Sequence, residues 1–163
     1  MAAIHKNFKS FYRQISIVYL AIIFGYLLFM AVIYMTSKQQ VTALKQSDST
    51  MLYIGLIVGL LLFFANRFLK KILIRIAPQK KDIREKLNLY FTFFIINMAL
   101  VEGFGFFNII WFIRHHDINF LILAGYALLL MLFLKPHPDK IADLLQFSRE
   151  EHTYINQPDK LFE

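Results

Sequence analysis

The chain has 163 residues, about one domain's worth, and no cysteine, which excludes disulfides, thiolate metal sites, iron–sulfur clusters and cysteine nucleophiles. Its 58% hydrophobic content exceeds the roughly 45–50% of soluble domains, and eighteen phenylalanines are too many for a soluble core of this size. The net charge of +7 comes with no nucleic-acid motif, so nucleic acid is not expected as a partner, and topology and anionic lipid headgroups account for the excess.

Four apolar blocks follow in chain order, to be compared with the roughly 20 residues that cross a bilayer as a helix. The first, ISIVYLAIIFGYLLFMAVIYM, covers residues 15–35. It is longer than a signal-peptide core and no small-residue cleavage pattern follows it, so a retained anchor is expected. The second, MLYIGLIVGLLLFFA, is short alone but continues to about residue 69, where Arg67, Lys70, Lys71 and Arg75 can snorkel to lipid headgroups. The third runs over 87–113 and the fourth over 118–134. The expected fold is all-α: an integral membrane four-helix bundle of two transmembrane hairpins over 1–135, followed by a cytoplasmic amphipathic helix and tail over 136–163.

Lysine and arginine set the orientation. The flank before the first block, the stretch 67–86 and the C-terminal tail together hold fifteen, and the two remaining loops hold three, Lys38, Lys45 and Arg114. Both termini are therefore expected in the cytoplasm. In the tail, Pro138 suits a first helical turn and Asp139 its positive end. Ile141, Leu144, Leu145 and Ser148 give the spacing of a short amphipathic helix lying on the membrane or against the basic loop. The final NQPDKLFE reads as mobile. PQKKDIREKLN after the second block aligns with PHPDKIADLLQ after the fourth, which suggests a duplicated hairpin.

Glu102 lies 12 residues before Arg114, about 18 Å along a helix and so close to the bilayer midplane. A charged carboxylate there costs several kcal/mol, so a protonated or paired group is expected. Tyr26 and Tyr126 lie at similar depth and are candidate hydrogen-bond partners for it. At 100° per residue, Asn97 and Asn108 share one face of the third helix and Glu102 faces elsewhere, so the helix should contact neighbours on two sides through interhelical polar groups. Ala99 and Gly105 lie on the Glu102 face as packing positions. Gly55 and Gly59 form a GxxxG read as packing within the chain. RHHD, residues 114–117, reads as a solvated loop with no metal site, since adjacent histidines point apart. Tyr12, Tyr34, Tyr53, Tyr90 and Trp111 read as an interfacial aromatic belt. No catalytic fingerprint is present and no nucleophile–base pair sits near Glu102, so neither catalysis nor a cofactor is expected.

ALVEGFGFF, NIIWFI and KPHPDKIADLLQFSREE resemble small four-span membrane proteins of bacteria with no assigned function. The resemblance covers the second half of the chain, implies a bacterial inner membrane, and transfers no activity. Rotary ATPase proteolipids and small multidrug exporters also carry a membrane carboxyl, but in other helices; where the first helix here aligns with Glu102 it has Phe24. The expected role is a non-enzymatic multi-pass membrane protein, an accessory subunit or scaffold with a membrane-protein partner or as a homo-oligomer. The alternative is a proton-coupled transporter or channel component using Glu102.

Overall fold

The computed structural model describes residues 7–37, 49–80 and 82–162. His5, Lys6, Lys38, Lys45 and Lys81, all part of the surface or charge reading, lie outside the described residues. The described residues are mostly helical: α1 (Phe8–Ser37), α2 (Ser49–Ile76), a 3-10 turn (Ala77–Gln79), α3 (Ile83–His115), α4 (Ile118–Phe133), α5 (Pro138–Leu145) and α6 (Arg149–Asn156).

Stretches within α1, α2 and α3 are each long and apolar enough to cross a membrane. The fourth block is less clear-cut. With 16 residues, α4 is about 24 Å long against a hydrocarbon core of about 30 Å. It qualifies only if joined to α5 across the break at 134–137, which gives three candidate spans or four. The break follows from the sequence. Pro136 and Pro138 disfavour helix in the residues before them, and Pro138 instead opens α5.

The helices also begin earlier than the apolar blocks, α1 at Phe8 and α3 at Ile83. Their first turns are amphipathic, so a lipid-length apolar window misses them. These turns belong to the first of two compact units, made of Met1–Leu20, Asn66–Ile96 and Lys135–Glu163; the second comprises Ala21–Ala65 and Asn97–Leu134. A unit boundary falls at Leu134/Lys135, near the one expected at 135, but 135–163 shares its unit with parts of α1, α2 and α3.

In the first unit Phe8, Phe11, Ile15 and Tyr19 form one buried stripe of α1, and Ile83, Leu87, Tyr90 and Phe94 form another on α3. Both follow the i, i+3/i+4 spacing of a helix face. The stripes meet ring to ring, Phe11 with Tyr90 at 6.5 Å and Tyr19 with Phe94 at 6.4 Å between centroids. Tyr90 is thus a core residue rather than part of an interfacial belt, and the Tyr12 hydroxyl donates to the Pro136 carbonyl at 3.4 Å.

Helix α5 buries Ile141, Ala142 and Leu145 and packs against the 3-10 turn. It ends at Gln146 in the left-handed conformation (φ 51°). A second helix then starts where the sequence reading had only a tail. Ser148 caps α6 and Glu151 returns the bond to the Ser148 N–H at 2.7 Å, a reciprocal capping box. Glu151 also pairs with Lys86 of α3 at 2.8 Å, both side chains nearly buried. The end of the chain, expected to be mobile, is tied down. Phe162 is 5% exposed, Arg84 Nη2 donates to its carbonyl at 2.8 Å, and Leu161 bridges to Asn7.

In the second unit large apolar residues lie on both the inner and the outer faces: Tyr26, Met98, Phe104, Ile109 and Phe112 are buried together with Gly55, Gly59, Ala124, Ala127 and two asparagines, while Phe24, Leu28, Leu61, Ile110 and Phe133 point outward. The apolar outer surface suits lipid as solvent, and the small buried residues let the helices approach closely.

Candidate functional site

The polar groups of the second unit are built around α3, which has neighbours on two sides. Toward α2 lie Phe104 and Asn108. A Cβ on Gly59 would come within 3.3 Å of the Phe104 ring, and one on Gly55 within 3.0 Å of Leu123 and 3.3 Å of Asn108 Oδ1. The GxxxG glycines therefore face helices of the same chain. Asn108 is fully buried; its amide donates to the Phe104 carbonyl at 2.8 Å, and among the described residues its Oδ1 has no hydrogen-bond partner. Asn97 is buried as well.

Toward α1 lies Gly105. A Cβ there would collide with Tyr26, whose ring carbons would lie 2.6 Å away. Only glycine admits the Tyr26 ring this close to the α3 backbone. The ring is fully buried, sits 5.7 Å from Phe106, and its hydroxyl donates to the Ala124 carbonyl of α4 at 2.9 Å. One tyrosine thus joins α1, α3 and α4.

Glu102 lies beside this knot without being tied into it. Among the described residues no side chain hydrogen-bonds or ion-pairs with it. Tyr26 directs its proton to α4. Tyr126, 44% exposed, lines a groove of about 240 Å³ with Gly55, Gly59, Phe104 and Leu123. Equal depth along the helices was the basis for joining both tyrosines to Glu102, and depth does not fix direction around the helix axis. Glu102 itself is half-buried. Next to it Ala99 is exposed rather than packed, and a Cβ on Gly103 would have open space around it. Ala99 and Gly103, four residues apart, leave a low exposed surface beside the half-buried Glu102.

Arg67, Lys70, Lys71 and Arg75 are exposed on α2, where headgroups or solvent can reach them. The loop 114–117 is less solvated than expected. Asp117 is buried and caps α4 through Asn119 N at 2.9 Å, His116 adopts φ 54°, and His115 stacks on Trp111 at 5.0 Å. Among the described residues no group of three or more His, Asp or Glu is placed to hold a metal. Sequence reasoning marked Gly105 as a packing position but not Tyr26 as its occupant, and it missed helix α6 and the Lys86–Glu151 pair. The S-x-x-E pattern of SREE was the available signal for the start of α6. Comparison with family models, curated proteins and solved structures finds no match for the chain.

Proposed function

We propose that the chain is a non-enzymatic multi-pass membrane protein, an accessory subunit or scaffold, that offers Glu102 to a partner within the bilayer. The observation that carries this reading is the carboxyl itself. It is half-buried, has no hydrogen-bond partner among the described residues, and lies next to the small exposed residues Ala99 and Gly103. In hydrocarbon an unsatisfied carboxyl is costly, and small residues let a neighbouring helix approach closely enough to satisfy it. The partner is a membrane helix of another protein or of a second copy.

The same reading takes the chain as a four-span bundle of two hairpins in a bacterial inner membrane, with both ends cytoplasmic, on the charge asymmetry of fifteen against three. Duplication of the hairpin draws support from the paired positions Ile83 and Ile141, and Leu87 and Leu145, all four of them buried.

Half-exposure of Glu102 also favours a second reading, a proton-coupled carrier that titrates at this residue. Glu102→Gln separates the two. Under the scaffold reading the variant, which keeps an acceptor and gains donors, retains its partner on purification and reconstituted parent protein carries no proton flux. Under the carrier reading the parent shows a pH-driven flux that the variant lacks.

A further inference from the structure

We propose that the cleft between the start of α1 and the C-terminal turn holds the headgroup of an anionic phospholipid, with Arg13 on the phosphate. The cleft, about 530 Å³, is lined by residues that include Lys9, Arg13, Gln14, Ile17, Val18 and Asp159. It lies wholly within the first unit and is separate from the exposed cations of α2.

Its far wall is built, not incidental. The Lys9 backbone N–H donates to the Pro158 carbonyl at 3.0 Å, and Asn7 bridges to Leu161. Lys9 Nζ meets both oxygens of Asp159, at 2.9 and 3.1 Å. That pair cancels its own charge. The Ser10 hydroxyl is committed to the Asn7 carbonyl at 2.9 Å. Arg13 and Gln14, by contrast, have no hydrogen-bond or ion-pair partner among the described residues. The cleft is left with one unpaired guanidinium and one free amide, matching the single negative charge of a phosphodiester. A guanidinium grips such a group with two parallel hydrogen bonds.

The apolar part of the lining points to a lipid rather than a soluble phosphate. Lys9, Arg13 and Ile17 follow one another at four-residue spacing on one helix face, so the charge gives way to a side chain 57% exposed to solvent within about 6 Å. Val18 continues the apolar lining. The apolar run of α1 begins at Ile15, so Arg13 sits where headgroups end and acyl chains begin. This inference rests on the membrane reading but not on any role for Glu102.

The test is native mass spectrometry of the detergent-purified full chain, titrated with phosphatidylglycerol or with glycerol 3-phosphate. The parent should retain one phosphatidylglycerol saturably and no glycerol 3-phosphate. Arg13→Gln, at an exposed position, should weaken retention about tenfold, as for a lost charge-assisted hydrogen bond. Arg13→Lys should lose less, and Arg67→Gln should match the parent. Retention unchanged in Arg13→Gln, or reduced equally in Arg67→Gln, overturns the site; glycerol 3-phosphate binding as tightly as the lipid overturns its assignment to lipid. Release of the chain from membranes by alkaline carbonate would refute the membrane reading itself, and a normal partner profile for Arg13→Gln would leave the Glu102 proposal standing.

Discussion

Replacing Gly105 by alanine adds one methyl group where the structure has least room for it. The new Cβ would lie 2.6 Å from two ring carbons of Tyr26 and collide with its hydroxyl. Tyr26 cannot swing aside freely, because its ring is fully buried and its hydroxyl holds the Ala124 carbonyl. Over-packing of this kind costs about 1–3 kcal/mol, and loss of the interhelical hydrogen bond adds roughly 0.6–1.7 kcal/mol. Against this, alanine gains at most about 1 kcal/mol of helix propensity over glycine. The net expectation is destabilisation of about 1–3 kcal/mol. The molecule supplies its own controls. A Cβ at Gly25, Gly103 or Gly125 meets nothing within 4 Å, so alanine there should be neutral or stabilising by up to about 1 kcal/mol. Unfolding in mixed micelles, followed by helical signal against denaturing detergent, reads the difference. Tyr26→Phe should cost less than Gly105→Ala and be non-additive with it, since both act on one contact. Equal stability of Gly105→Ala and Gly103→Ala would refute the close-approach argument.

Three further outcomes follow from the first unit. Lys86→Met strands Glu151 in a nearly buried site and should destabilise the C-terminal helices by about 3 kcal/mol, visible as faster proteolysis after residue 146; Lys86→Met with Glu151→Leu should recover much of the loss. Ser148→Ala removes the cap of α6 and should cost about 1 kcal/mol, read as faster amide exchange in α6 with α5 unchanged. Phe162→Ala empties a buried site beside Arg84 and should cost about 3 kcal/mol, measured as a lower Tm in detergent.

The membrane-length helices were legible because their signal is local. Residues 15–35 and 87–113 are predominantly apolar, the second interrupted by Asn97, Glu102 and Asn108, and α1 and α3 contain them. The grouping into two units was not, because it rests on contacts distant in sequence, Lys86 with Glu151, Arg84 with Phe162 and Lys9 with Asp159. Ser148 read as the last position of the amphipathic helix that became α5, whereas its spacing to Glu151 encodes the start of α6. Proline near 136 signalled a chain exit, yet composition could not say that α4 ends short of a full span. Glu102 was found because a carboxyl amid apolar residues stands out in any sequence. Its surroundings were not, since burial of Gly105 and exposure of Ala99 depend on which side of α3 each neighbour occupies.

The most direct test of the proposed role is photocrosslinking in native membranes from a benzophenone amino acid placed at Gly103, one residue from the carboxyl. The account predicts a discrete protein adduct, either heteromeric or with a second copy, that persists with Glu102→Gln and disappears with Glu102→Leu. Labelling of lipid alone, or a protein adduct indifferent to Glu102→Leu, would contradict it.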